Sequence, residues 1–308
     1  MIFLKLIRFQ NLLLLALMQL IFRFGYLELI NIPLSLFYWQ YALLVLSTIL
    51  IAAGGYVIND IFDIDTDQEN KPNKVIIGEF ISEELAYKIY AGLTITGVAF
   101  GFLLANSISH PNFAIIFVLI ATLLYFYAST LKQIGVLGNI TVAALLAFSV
   151  IIIGIFDIFP NTFDVNKPQM TIAFSILLDY AKFAFILNLV REIIKDIEDI
   201  KGDNLQEMKT LPIVIGIKKT TKIAFILLLL PTLYLFYYIY NYLFNNNLYF
   251  GIFYLFTFVI TPMIVCLIKI YNAKEKPDFT AISKLLKWII FFGILSIVVI
   301  TLNIKYNV

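Results

Sequence analysis

Residues 36–67 read LFYWQYALLVLSTILIAAGGYVINDIFDIDTD, an apolar run that passes without a turn signal into the acidic string Asn59-Asp60-Ile61-Phe62-Asp63-Ile64-Asp65-Thr66-Asp67. About 20 mostly apolar residues suffice for a helix to cross the hydrocarbon core of a bilayer. The stretch therefore reads as a transmembrane helix whose end carries charge. The rest of the chain repeats the apolar half of that pattern. Blocks at 11–30, 36–58, 84–105, 112–128, 137–157, 170–190, 222–243, 250–271 and 286–304 stand between charged or Pro/Asn-rich breaks. With 61% of the 308 residues apolar and only 14% charged, the composition is that of a polytopic membrane protein. The expected fold class is all-α, with nine spans. No Gly/Ser-rich linker or shift in composition divides the chain, so residues 1–308 read as one domain.

Several kinds of chemistry are excluded at once. His110 is the only histidine and Cys266 the only cysteine, which rules out a His/Cys zinc site and an intrachain disulfide. Metal chemistry here must use carboxylates. Lys5 and Arg8 precede the first span, but no small-residue cleavage pattern follows before Arg23, so that helix is read as retained. The net charge of +2 requires no nucleic-acid partner, and no feature of the sequence points to an obligatory protein partner. Lys132, Arg191, Lys195, Lys201, Lys209, Lys218 and Lys219 fall on the side of the N-terminus, whereas the opposite side shows only Lys167 and Lys305. The positive-inside rule then makes the N-terminus and the acidic loops cytoplasmic.

A second acidic string, Arg191-Glu192-Ile193-Ile194-Lys195-Asp196-Ile197-Glu198-Asp199-Ile200-Lys201-Gly202-Asp203, extends the sixth span. It lies four spans after the first, hence on the same membrane face, a hint of internal duplication. Continued as a helix, the first string gathers Asn59, Asp60, Asp63 and Asp67 within about a 100° arc. The second gathers Glu192, Asp196, Asp199 and Asp203 within about 60°. Asp65 and Glu198 point elsewhere, and Gly202 is a candidate helix end before Asp203.

Like charges on one helix face repel, so a positive species should offset them. Hard divalent cations take oxygen ligands, and magnesium combines one or two carboxylates with water and substrate phosphate. Two acidic faces meeting across a bundle would clamp a diphosphate through bridging Mg2+. Lys71, Lys74, Lys132, Arg191 and Lys195 stand close enough in sequence to meet phosphate oxygens or, equally, to serve as topogenic charges. Lys132, nearly alone in its loop, is the strongest of them.

Inside the spans, Asn11, Gln19, Arg23, Asp179 and Lys182 are costly in hydrocarbon and are expected to face the bundle interior. Asp179 and Lys182, three residues apart, read as an ion pair. Asn11 either lines a polar mouth or caps its helix. Aromatic residues make up 16% of the chain. Some of them would line a groove for an isoprenoid tail and face a carbocation.

The pattern Asn59-Asp60-x-x-Asp63-x-x-x-Asp67, followed by Asn70-Lys71-Pro72-Asn73-Lys74 and Gly78, resembles the first signature of the UbiA superfamily of intramembrane prenyltransferases. Asp196-x-x-Asp199-x-x-x-Asp203 is similar to the second. The resemblance covers about residues 5 to 300. It implies nine helices around a central cavity open sideways to lipid and capped by the Asp-rich loops. Asp60, Asp63, Asp67, Asp196, Asp199 and Asp203 would bind magnesium, and Asn11, Asn59, Tyr127, Lys132 and Arg191 would contact substrate. The Asn-Lys-Pro stretch looks closest to the archaeal digeranylgeranylglyceryl phosphate synthase branch. The chain departs from that branch at Lys71, Lys74, Val75 and Ile77, where arginine and proline are usual.

The implied partners are an isoprenyl diphosphate donor, a lipid-soluble acceptor and the surrounding membrane lipids. Transfer to geranylgeranylglyceryl phosphate is the expected reaction. An aromatic acceptor of quinone biosynthesis is the alternative within the family. A secondary transporter or a lipid-binding scaffold are the alternatives outside it. A transporter would place its ionisable groups near mid-membrane, whereas these carboxylates follow the ends of the spans.

Overall fold

The computed structural model describes residues 2–70 and 75–306; Lys71 and Lys74 lie outside the described residues. Among the described residues, nine helices are long and apolar enough to cross a membrane. They are Phe9–Leu27, Tyr38–Phe62, Glu83–Ser107, Pro111–Ser129, Leu137–Asn161, Lys167–Leu205, Ile217–Phe244, Tyr249–Asn272 and Lys276–Tyr306, here the first to ninth spans. Each corresponds to one expected apolar block, mostly with a longer reach, because a helix continues past the first charged residue that ends a hydropathy run. The sixth span shows this most clearly. Its 39 residues make a rod of about 58 Å at 1.5 Å per residue, far longer than the roughly 30 Å hydrocarbon core. Its last turns, bearing the second acidic string, therefore project beyond the apolar layer.

Small residues set the tight packing of the second span. An added Cβ at Gly54 would lie 2.4 Å from Thr94 Oγ1, and one at Gly97 of the third span 2.8 Å from Ile51 Cγ1. Ser47 Oγ donates to the Gly97 carbonyl at 2.7 Å across the same seam. Close approach of two backbones with a hydroxyl between them is how helices associate in lipid, where apolar burial alone gives no preference for one neighbour over another.

A polar knot closes the end of the bundle opposite the acidic strings. Arg23 is 3% exposed and donates to Asp157 of the fifth span, to Glu28 Oε1 at 3.1 Å and to the Leu36 carbonyl at 2.7 Å. The Asp157 carboxylate in turn accepts from the Leu36 N–H at 2.8 Å, and the Tyr41 ring lies 4.5 Å from the guanidinium. First span, second-span entry and fifth span are thereby tied together. The expectation that Arg23 faces the bundle interior is met, and the cost of burying it is offset by three acceptors.

At the acidic end, Leu6, Ile7 and Leu12 pack with Val57, Ile58, Ile61, Ile77, Ala86 and Ala128 in one apolar cluster. The N-terminal segment is thus held against the last turns of the second span, which brings Arg8 to Asp60.

Asp157→Leu strands the buried Arg23 charge and leaves the Leu36 N–H without its acceptor. It should destabilise the protein by roughly 3 kcal/mol, the scale for breaking a buried pair, measured as a lower midpoint of thermal unfolding in detergent. An unchanged midpoint would show that the knot does not hold this end together.

Candidate active site

The helix of the second span stops at Phe62. Asp63 leaves it at φ −100°, ψ 5°, and a short helix, Ile64–Asn70, begins at once. This corrects the reading of one continuous helical face from Asn59 to Asp67. The four residues belong to two helices joined at Asp63, with the Asp67 N–H donating to the Asp63 carbonyl at 2.8 Å across the joint. Asp65 points to solvent, as expected.

Asp63 is the hub of that joint. It accepts from Asn59 Nδ2 at 2.6 Å and from Lys132 Nζ at 2.5 Å. Lys132 is 8% exposed, so the lysine singled out by its isolation in sequence lies inside the site. Its position is set by Gly138, where a Cβ would come within 2.7 Å of the Lys132 Cα. The same loop is pinned to the segment that follows the sixth span. Gly135 N–H donates to the Lys209 carbonyl at 2.8 Å, and Lys209 N–H to the Gln133 carbonyl at 3.0 Å.

Asp60 faces a partner the sequence did not reveal. Arg8 Nη2 donates to Asp60 Oδ1 at 2.7 Å, with the guanidinium 5.0 Å from the centre of the Tyr56 ring. Arg8 holds a left-handed backbone, φ 50°, ψ 51°, uncommon for a side chain of that size. Burial works against its charge, but Asp60 beside it more than offsets this and raises its pKa above the ordinary arginine value.

In the second string the helix runs through Gly202 to Leu205, and Asp203 is buried. Gly202 does not end the helix, so the expectation of a stop there is corrected. Asp196 accepts from Asn139 Nδ2 of the fifth span at 2.8 Å and lies within electrostatic reach of Glu192 and Asp203. Asp199 is half-buried on the same helix. Glu192 is taken by Lys195 at 2.6 Å and by Arg191 at 3.3 Å. Glu198 turns the other way and accepts from Thr280 at 2.6 Å.

The two strings share one neighbourhood. Tyr127 of the fourth span lies within electrostatic reach of Glu192, Asp63, Asp196 and Arg8. The Asn59 Oδ1 and Arg191 Nε atoms are buried with no hydrogen-bond partner among the described residues. Such orphans are unusual in a folded protein and mark places where a bound group completes the bonding.

Beneath this polar layer lie two adjoining cavities. One, of about 230 Å³, runs between the first, sixth, seventh, eighth and ninth spans past Met18, Phe22, Leu187 and Val259. The other, of about 190 Å³, is lined by Arg8, Asn59, Tyr127, Glu192 and Lys195 above Phe117 and Ile120. Asn11, Tyr56 and Arg191 line both. Asn11 therefore stands at the polar mouth and is not a helix cap. It accepts from Lys287 Nζ of the ninth span at 2.8 Å. Asp179 and Lys182 form the expected pair at 2.9 Å, with Asp179 on the wall of the larger cavity; the expectation that Lys182 faces the bundle interior is corrected, because its long side chain reaches outward and is exposed.

The UbiA prenyltransferase family model matches residues 24–300. The chain belongs to that family. Among curated relatives, the digeranylgeranylglyceryl phosphate synthase of Saccharolobus solfataricus is 38% identical over 182 residues, 59% of this chain and 58% of that protein. The synthase of Methanosphaera stadtmanae is 36% identical over 192 residues, 60% of this chain and 64% of that one. The aligned stretch thus spans less than two thirds of either relative. A solved structure described as giving insight into digeranylgeranylglyceryl phosphate synthase in membranes superposes with a TM-score of 0.61, at 26% identity over 98% of both chains. A UbiA homolog from Archaeoglobus fulgidus bound to GPP and Mg2+ shares the fold, with a TM-score of 0.58 at 17% identity over 96% of this chain and 99% of that one.

Within this UbiA chain, Arg8, Asn139 and Lys287 escaped the sequence reading. Each lies far in sequence from the residue it serves, so no local spacing announces it. Arg8→Gln leaves the half-buried Asp60 without its counter-charge, at a cost of about 1–3 kcal/mol. The thermal midpoint should fall and recover when a divalent cation is added. A midpoint that is insensitive to the cation would show that Asp60 is not open to metal.

Proposed function

We propose that this protein is a magnesium-dependent prenyltransferase that moves a geranylgeranyl group from geranylgeranyl diphosphate to the free hydroxyl of geranylgeranylglyceryl phosphate, releasing diphosphate. The observation that carries the reading is the meeting of both Asp-rich strings over the mouth of two apolar cavities. The named relatives support the acceptor.

The donor set fits magnesium. The side chains gathered here offer oxygen ligands, and Cys266 is buried in the eighth span. Among the described residues no three such side chains form a ready-made cage, and magnesium characteristically completes its shell with water and phosphate. Asp60, Asp63 and Asp67 with Asp196, Asp199 and Asp203 would hold it. Held there, magnesium would supply positive charge to offset the negative charge that grows on the leaving group.

The protein's own groups supply the rest. Lys132 and Lys195, with Lys71 and Lys74 as further candidates, donate to the diphosphate oxygens, and Arg191, which lines both cavities, to a substrate phosphate, charge-assisted contacts stronger than neutral ones. Asn59 and Tyr127 orient the diphosphate. The allylic C–O bond breaks, the donor carbon becomes cationic, and the acceptor hydroxyl oxygen bonds to it and gives up its proton. Leu15, Ala52 and Leu146 between the cavities keep water from that carbon. A lipid-facing site suits both substrates, because each buried CH₂ contributes about 0.8 kcal/mol. The basic residues near the acidic end favour a cytoplasmic placement for it in a bacterial or archaeal cell membrane.

In detergent with labelled geranylgeranyl diphosphate, Asp60→Asn and Asp196→Asn should each lower product formation by about a hundredfold or more, the scale for losing one charge-stabilising group, with thermal midpoints close to wild type. Chelation should stop the reaction and magnesium restore it. Wild-type turnover in either variant, or a product alkylated on a ring carbon of a hydroxybenzoate in place of the glycerol oxygen, would overturn this assignment. Gly138→Ala should cost on the order of 10- to 100-fold by displacing Lys132, as about 1 Å of misplacement does. Normal rates would show that the close approach is incidental.

A further inference from the structure

The cations at the mouth fall into two groups. Arg8, Lys132 and Lys195 are each matched to a carboxylate, Asp60, Asp63 and Glu192 respectively, and Glu192 also accepts from Arg191 Nη1 at 3.3 Å. All three sit on the side of the smaller cavity or against the first acidic string. Lys287 is different. Its one hydrogen bond among the described residues goes to the neutral Asn11, and the charge it feels most is that of Arg191. Both line the larger cavity, and Arg191 carries a buried Nε with no partner. The carboxylate on that cavity's wall, Asp179, is bound to Lys182 and lies about 18 Å down the sixth span from Arg191, at 1.5 Å per residue. Tyr56, Tyr180, Tyr234 and Tyr238 are the other titratable groups lining it.

Lys287 with no carboxylate partner, the unfilled Nε of Arg191 and the Asn11 amide amount to a site for an anion that arrives without a metal, since the one acid beside Arg191, Glu192, is also matched by Lys195. A phosphomonoester carries a charge of about −1.5 to −2 at neutral pH, which the pair matches. A diphosphate bound through metal needs carboxylates instead, and these lie on the other side of the mouth.

We propose that Lys287, Arg191 and Asn11 form a phosphomonoester site that seats the headgroup of the acceptor lipid, its prenyl tail filling the larger cavity, while the donor occupies the smaller one. The assignment rests on the acceptor being a prenylated glycerol phosphate. It divides the two substrates between the two cavities and gives Lys287 the role of selecting a phosphorylated acceptor.

The test is direct binding in detergent with chelator present, using geranylgeranylglyceryl phosphate and its dephosphorylated counterpart, geranylgeranylglycerol, as probes. Wild type should bind the phosphorylated lipid about tenfold or more tightly than the alcohol, a difference of one or two charge-assisted contacts. Lys287→Met should bring that preference below about threefold and leave alcohol binding unchanged, while Lys287→Arg retains the preference. Should Lys287→Met fail to fold, Lys287→Gln serves in its place. In turnover, Lys287→Met should raise the acceptor KM by about tenfold and move the donor KM by less than about twofold. No phosphate preference in wild type, an undiminished preference in the variant, or a rise in the donor KM alone would overturn the site. If wild type prefers the phosphorylated lipid but transfers no prenyl group to it, the site stands and the proposed reaction fails, so the two are told apart.

Discussion

Carboxylates gathered at one end of a bundle repel one another, and the whole acidic end is organised around that fact. Three members of the cluster are met by a basic or amide group from elsewhere in the chain: Arg8 on Asp60, Lys132 on Asp63, Asn139 on Asp196. A pair of unit charges about 4 Å apart near a protein surface gains roughly 4 kcal/mol gross, much of it offset by desolvation. The net contribution to stability is therefore modest, and the more consequential effect is on position. Because the partners come from the N-terminal segment, the loop after the fourth span and the fifth span, the neutralised cluster fixes those elements against the second and sixth spans. A cation bound to substrate can then replace one set of counter-charges with another without rebuilding the fold.

The two ends of the molecule solve opposite problems. At one, the charges of Arg23 and Asp157 are enclosed and answered by protein groups. At the other, Asn59 and Arg191 keep buried polar atoms without partners above two apolar cavities. That asymmetry locates the chemistry. It also separates this chain from a carrier with mid-membrane charges, since the ionisable groups cluster where spans end.

Much of this was legible in the sequence because lipid leaves few alternatives. In hydrocarbon every backbone polar group must be satisfied within its own helix, so nine apolar blocks meant nine helices, and the helical spacing of the second acidic string held along the continuous sixth span. Local helix breaks were harder to read. The helix breaks at Asp63 although Asn59 and Asp63 bond each other at helical spacing, and Gly202 lies buried within a helix that runs on to Leu205. Contacts over long separations could not be read at all. The Lys287 to Asn11 bond joins residues 276 positions apart, and the approach of Arg8 to Asp60 depends on how Leu6 and Ile7 pack. Lys71 and Lys74, expected to meet phosphate, fall outside the described residues and keep that expectation.

The central claim is that carboxylates from the second and sixth spans close around one cation-bound diphosphate. Its most direct test is a structure of the purified protein with Mn2+ and a non-hydrolysable geranylgeranyl thiodiphosphate, with the metal located by anomalous scattering. The account predicts metal density between the Asp60/Asp63 and Asp196/Asp199 carboxylates, with the diphosphate analogue bridging them and its tail in a cavity below. Metal bound to a single string, or a diphosphate seated away from both, would contradict it.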